Sequence, residues 1–229
     1  MMSKWIDDID VMRFVFPYIN SNMYVLLDGR SALVIDPHKS SDVVSLFESQ
    51  QINDILLLLT HEHPDHTSGV NEIRQLAPTT LVCQQHCARA IANEKNNRPI
   101  LISFILSEYD KKNQTQLADE FNNTFLRYSC VADITFENEY YISWHGNNIH
   151  MHWTPGHSKG SCVVIFNDTL LFSGDSLLRD VPVITRFPGG SIDDYNTTTL
   201  PFFRLLNKEM ICFPGHGHSF RLGDVLDVI

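Results

Sequence analysis

The sequence predicts an α/β domain, and three observations carry that prediction. Short apolar runs of strand type fill the first third of the chain and return after Ile134. Between residues 55 and 83 a strand, a loop, a helix and a second strand follow one another, the rhythm of sheets interleaved with helices. Residues 55–59 are five consecutive aliphatic side chains, which suits a strand covered on both faces inside a layered fold. With 229 residues, 43% hydrophobic and 19% charged, the chain can bury a substantial core, so one domain over 1–229 is expected.

The opening strands fall at residues 12–16, 23–27 and 32–35, with Asp28-Gly29 as a hairpin turn. A short helix follows over 42–49, where Val43, Val44, Leu46 and Phe47 form an apolar stripe. Ser41 is its expected N-cap, and Asp42 suits the positive end of the helix dipole. After the buried strand and a histidine-rich loop, a helix is predicted over 69–76, ending before Pro78, and a strand over 80–83. Residues 84–130 read differently: helical spacing at 86–92 and 101–106, a polar stretch at 110–123 and few turn signals predict a mainly helical insertion. Strands resume at 140–144, 149–153, 161–166 and 169–172. A helical segment within 192–206, started or kinked at Pro201, and a last strand at 210–213 complete the order. Two strand-rich halves fit the pattern.

Formal net charge is -10, and the 17 Lys and Arg residues are scattered, so nucleic acid is excluded as a partner and a small-molecule substrate is expected. The N-terminal stretch MMSKWIDDIDVMRFVF lacks a basic region followed by an apolar segment, and no run is long enough to span a bilayer, which predicts a cytoplasmic protein without membrane contact. Five cysteines, an odd number in a chain of that kind, are expected as free thiols. Cys83-Gln84-Gln85-His86-Cys87 lacks a second ligand pair and reads as helix-spaced small residues before it reads as a metal site.

Thr60-His61-Glu62-His63-Pro64-Asp65-His66 packs three imidazoles and two carboxylates into seven residues directly after a buried strand. Any one of these histidines alone reads as an ordinary loop residue, whereas the whole cluster demands a cause. Histidines two apart on extended chain point the same way, and Asp65 and His66 stand where the chain turns toward a helix. Imidazole nitrogen with carboxylate oxygen is the donor set of zinc-like ions.

This segment resembles the signature of the metallo-β-lactamase superfamily, and three later segments resemble the rest of its pattern in order: Thr154-Pro155-Gly156-His157-Ser158, Phe172-Ser173-Gly174-Asp175-Ser176 and Pro214-Gly215-His216-Gly217. The opening strands through Asp36-Pro37 also fit. The resemblance implies a four-layer αββα sandwich and two divalent metal ions, zinc first, with iron or manganese as alternatives. It implies that His61, His63 and His157 hold one ion and Asp65, His66 and His216 the other, with Asp175 bridging them. A hydroxide between the ions would then be the nucleophile, and Asp65 the catalytic residue that orients it and passes a proton to the leaving group. Glu62 is expected as a solvated or supporting residue. Gly156, Gly174 and Gly215 stand beside ligands, where tight turns or close approach exclude a side chain.

His38, His86, His145, His150, His152 and His218 lie outside these motifs and read as surface or satisfied residues, with His218 a candidate to support the site. Ser158, Lys159 and Ser176 could touch substrate, but loop capping explains the serines and solvation explains the lysine. Within the family, the ligand set and the run from Gly174 through Phe187-Pro188-Gly189-Gly190 resemble the glyoxalase II-like branch, which implies a thioester or ester substrate. Two departures stand against hydroxyacylglutathione itself. Thirteen residues follow His216, too few for that branch's C-terminal helical domain, and the 84–130 insertion supplies a different wall over the metals. Lactonase, phosphodiesterase, mononuclear iron persulfide dioxygenase and a non-catalytic metal-binding module remain as alternatives.

Overall fold

The computed structural model describes residues 10–97 and 100–226. Residues 1–9 of the N-terminal stretch, residues 98–99 of the expected insertion and residues 227–229 lie outside the described residues. Among the described residues no helix is long and apolar enough to cross a membrane.

In chain order the elements are β1 (Met12–Val15), β2 (Asn22–Asp28), β3 (Ser31–Ile35), α1 (Ser41–Ser49), β4 (Asp54–Leu58), α2 (Pro64–Thr67), α3 (Val70–Ile73), β5 (Thr79–Gln84), α4 (Gln85–Ile91), α5 (Ile100–Asn113), α6 (Leu117–Thr124) and β6 (Ile134–Phe136). There follow β7 (Glu139–Trp144), β8 (Asn147–Trp153), β9 (Cys162–Phe166), β10 (Leu170–Gly174), α7 (Ile192–Asp194), a π-helical turn (Tyr195–Thr199), α8 (Leu200–Leu205), β11 (Ile211–Pro214), β12 (Phe220–Arg221) and α9 (Gly223–Leu226). β1 to β6 form one sheet in sequential order, antiparallel through β3 and parallel from there on. The second sheet runs β12-β11-β10-β9-β8-β7, with β10 and β11 parallel and the other pairs antiparallel.

Side-chain alternation explains the layering. On β4, Leu56 and Leu58 join Tyr24, Leu33, Val164, Phe172 and Phe213 in the core between the sheets, while Ile55, Leu57 and Leu59 face Val43, Phe47, Val70 and Ile91 in the core beneath the first helical layer. This is the strand covered on both faces that its five aliphatic residues predict. On the far side of the second sheet, Val163, Ile165, Leu171 and Cys212 pack against Phe203, Val225 and Leu226 of α8 and α9. Helices, sheet, sheet, helices: the expected four-layer αββα sandwich is the observed fold. Between residues 84 and 130 the chain carries α4, α5 and α6, and Ile102, Leu106, Ala118, Phe121 and Phe125 close on Phe16 in a separate small core.

Several local expectations need correction. The N-cap of α1 is Ser40, not Ser41: Ser40 is extended (φ -157°, ψ 113°) and its hydroxyl accepts from Val43 N, while Ser41 has already entered the helix. The helix expected over 69–76 is the shorter α3, and a separate helix not expected, α2, precedes it, beginning inside the histidine cluster with Pro64 at its first turn. Gly69, between them, must be glycine because a Cβ there would run into the backbone carbonyl of His38. The hairpin's two loop residues are Gly29 and Arg30, and Asp28 still pairs with Ser31. Around Pro201, which has no N–H to donate, the helix widens into the π-helical turn before α8. The short β12 and α9 escaped the sequence reading, too brief to show a period.

Candidate metal centre

All the motif side chains meet at one end of the sandwich, because each follows the C-terminal end of a strand: β3 leads to Asp36, β4 to residues 60–66, β8 to residues 154–157, β10 to Asp175 and β11 to His216. Backbone contacts hold these ends together. Gly215 N donates to Gly174 O at 2.8 Å, Cys162 N to Thr60 O at 2.7 Å and Asn22 N to Gly215 O at 2.7 Å, so the two sheets are laced across the site. Gly215 is obligatory here: a Cβ would overlap Asp175 Oδ1 and crowd His66.

His61, His63 and His157 form one group of donor atoms, and Asp65, His66 and His216 a second. In the first, His61 Nε2 and His157 Nε2 stand 3.1 and 3.0 Å from His63 Nδ1. In the second, His66 Nε2 and His216 Nε2 lie 3.1 and 3.5 Å from Asp65 Oδ2. Asp175 lies between them, 3.5 Å from His157 and His216 and 3.7 Å from His66. The sequence-predicted residues are therefore all brought together.

Which nitrogen carries the proton follows from what the rings face on their other side. Thr60 Oγ1 donates to Asp36 Oδ2 at 2.6 Å, so it can only accept from His61 Nδ1, 3.0 Å away. His66 Nδ1 faces Asp36 Oδ2 at 3.1 Å, and His157 Nδ1 faces the carbonyl of Ile184 at 2.8 Å. In each ring Nδ1 is the donating nitrogen, so Nε2 is the atom turned into the centre, the arrangement a metal-binding imidazole requires. Asp36, held at φ +56° and also accepting from Thr60 N at 2.7 Å, sets two of these rings at once. The sequence reading placed Asp36 only in the opening strands and missed this role; a carboxylate directly after a buried strand and before a proline was the available signal.

Charge distribution divides the cluster. Burial, reinforced by neighbouring imidazoles, pushes His61 well down and His63 down to about 4. Burial also opposes charge on His66 and His216, but Asp65 and Asp175 outweigh it, raising His66 well above the usual range and His216 to about 10. Both carboxyls are held well below the ordinary range by the facing imidazoles, against the effect of burial. The pocket demands positive charge, and a divalent cation supplies it as well as protons do. In the centre, buried Asp175 Oδ1 has no hydrogen-bond partner and His66 Nε2 has only its 3.1 Å approach to Asp65 Oδ2, so both are donor atoms a coordinating ion would satisfy. The donor set and these two atoms thus fit divalent metals.

Around the centre, Glu62 accepts from Ser158 Oγ at 2.8 Å, and burial raises its carboxyl despite that bond. Ser158 also bonds Ser161, and Ser176 bonds Thr154, so both serines serve their loops. His38 is buried with its ring nitrogens against the carbonyls of Lys39 and Phe14, and exposed His218 lies beside Arg13. The five cysteines are buried and free. A cleft of about 630 Å³ opens beside His63, lined by Glu62, Arg89, Lys95, Ile100, Lys159 and Pro188 among others. Phe187 sets its ring edge-on to His63 and His157 at 5.9 and 6.2 Å.

The sequence model of the metallo-beta-lactamase superfamily matches residues 17–216. A probable metallo-hydrolase of Streptococcus pyogenes is 25% identical over 202 residues, 86% of this chain and 79% of that protein. The hydroxyacylglutathione hydrolase of Baumannia cicadellinicola is 32% identical over 79 residues, covering 34% of this chain and 31% of its own. Among solved structures, the BLEG-1 B3 metallo-beta-lactamase superposes with a TM-score of 0.73 at 22% identity over 95% of this chain and 96% of that one. Another, crystallised in a di-iron-bound form, gives 0.66 at 18% over 93% and 96%.

Proposed function

We propose, from the premise that this chain belongs to the metallo-beta-lactamase superfamily, that it is a dinuclear metal-dependent hydrolase of a small anionic thioester or ester. His61, His63 and His157 hold one divalent ion, Asp65, His66 and His216 the other, and Asp175 lies between them. The observation that carries this is ring orientation: three imidazoles are fixed through Nδ1 and turn Nε2 toward a centre that also contains unpartnered Asp175 Oδ1. Nitrogen and carboxylate donors favour zinc.

When bound, the ions supply a water of near-neutral pKa and a Lewis acid for the oxygen under attack. The chain's own residues do the rest. Asp65 Oδ2, within 3.5 Å of His66 and His216, is the carboxylate placed to orient the attacking water and hold its proton for the leaving group. Phe187 packs edge-on against His63 and His157 and helps hold those two rings. Arg89, Lys95 and Lys159 line the cleft in a chain of net charge -10, so the substrate is expected to carry negative charge on the part that lies there. The stretch shared with the hydroxyacylglutathione hydrolase supports the thioester reading.

The test is metal quantification followed by thioester, ester, lactone and phosphodiester panels, with wild type against Asp65→Ala. Two ions per chain and thioester or ester turnover that collapses in Asp65→Ala are expected. Undiminished hydrolysis in that variant sinks the mechanism, and one iron per chain replaces it with oxidative chemistry.

A further inference from the structure

The outer face of the second sheet carries a separate cluster. The register pairs Glu139 with His152 and Tyr141 with His150 across β7 and β8. Alternation puts these four side chains on one face, while Tyr140, Ile142, Ile149 and Met151 pack into the core between the sheets. Glu139 Oε2 lies 3.3 Å from His150 Nε2 and 4.0 Å from His152 Nδ1.

Both rings are held by their faces. His150 stacks on Tyr141 with centroids 4.3 Å apart and planes 3° apart, and His152 stacks on Phe202 of α8 at 3.9 Å and 6°. A face-stacked imidazole offers its polar atoms only at the edge, and here the edges turn His150 Nε2 and His152 Nδ1 toward the carboxylate. Those two nitrogens are buried and make no hydrogen bond. Pairing Glu139 with one protonated ring leaves the other without a partner, and protonating both sets two cations side by side. One cation shared by two neutral imidazoles and the carboxylate satisfies all three groups.

We propose that Glu139, His150 and His152 bind a divalent transition ion of the zinc class, one per chain, with a further position open to water, pinning β7 to β8 on the outer face of the sheet. Two imidazoles select such an ion over calcium or magnesium. Donors about 2.1 Å from a tetrahedral ion stand about 3.4 Å apart. The 3.3 Å pair meets this already, the 4.0 Å pair closes by a small swing of Glu139, whose side chain is half exposed, and all three donor atoms lie within 4.8 Å of one another, so a slight ring shift completes the set.

The experiment loads the full chain with zinc, removes loose ion by desalting and counts zinc per chain in wild type, Glu139→Gln and His150→Gln. Each variant is expected to hold one ion fewer than wild type, with its hydrolase activity retained. Because the result is a difference, it stands whatever the strand-end centre binds. In a zinc titration followed by nitrogen NMR, the ring resonances of His150 and His152 should move in wild type and stay still in Glu139→Gln. If His150→Gln fails to fold, Glu139→Gln, a substitution of equal size at an exposed position, carries the test alone. Equal zinc counts in wild type and Glu139→Gln, or unmoved ring resonances in wild type, overturn the proposal.

Discussion

Asp36→Asn isolates the tautomer control on which the proposed centre depends. The amide has the size of the carboxylate, and asparagine tolerates the left-handed backbone at φ +56°, so the fold should survive. Its oxygen can still accept from Thr60 N, now bonded at 2.7 Å. The amide nitrogen then confronts Thr60 Oγ1 and His66 Nδ1, two groups that donate to Asp36 Oδ2 at 2.6 and 3.1 Å. Both conflicts relax the same way. His66 moves its proton to Nε2, and Thr60 turns its hydroxyl toward His61 Nδ1, moving that ring's proton as well. Each proposed ion loses one correctly poised nitrogen. A hydrogen bond to a carboxylate contributes about 1.5–3 kcal/mol, which equals about a 10–100-fold change in a binding constant. Losing an outer partner of a metal ligand costs the same 10–100-fold. The expected result is therefore a 10–100-fold loss of affinity at each ion, measured by competition with a chromophoric chelator, with an unchanged far-ultraviolet spectrum. A folded Asp36→Asn that holds both ions within about threefold of wild type refutes the reasoning.

Three further outcomes follow from the same geometry. Gly215→Ala drives a methyl group into Asp175 Oδ1, so it should abolish metal retention and activity while the melting temperature of the metal-free protein falls by only a few degrees; full metal occupancy would contradict this. Chelation should lower the melting temperature and zinc should restore it, because ligand at about 1,000 times its Kd stabilises by about 4 kcal/mol; identical melts with and without chelator would count against the centre. The pH dependence has a definite sign. In the metal-free chain His216 titrates near about 10, above its unfolded value, so its stabilising effect is full below the unfolded pKa and disappears as pH rises through about 10. Zinc must displace the protons on His66 and His216, so its apparent affinity should rise with pH and binding should release protons in weakly buffered solution. Binding without proton release at pH 7 would be the contrary result.

What the sequence made legible was chemistry already gathered in one stretch of chain. Residues 60–66 announce their purpose because five donor side chains sit side by side, and Gly215 is explicable beforehand because it adjoins His216. Asp36 was illegible as a functional residue for the opposite reason: its partners are 24 and 30 positions away and meet it only when β3 and β4 pair in parallel. The same distance hid the need for glycine at position 69, set by the His38 carbonyl, and the two stacked histidines of β8, whose partners come from β7 and α8. Ser40 and Ser41 are chemically equal candidates for one cap, and only the backbone angles distinguish them. Two-sided burial, by contrast, was readable in and just after β4 because the five residues 55–59 are all aliphatic.

The origin of the proposed ligands in both sheets has a consequence for how the protein matures. His61, His63, Asp65 and His66 follow a strand of the first sheet, while His157, Asp175 and His216 follow strands of the second. Neither three-residue group is complete without a member from each. A nascent chain that has made only the first sheet therefore owns no finished coordination sphere, and metal capture must wait until the second sheet has docked. In the layered protein without metal, the mutual repulsion between Asp65 and Asp175 is offset by protons on the facing imidazoles. Metal supply would then govern the last step of maturation instead of the first.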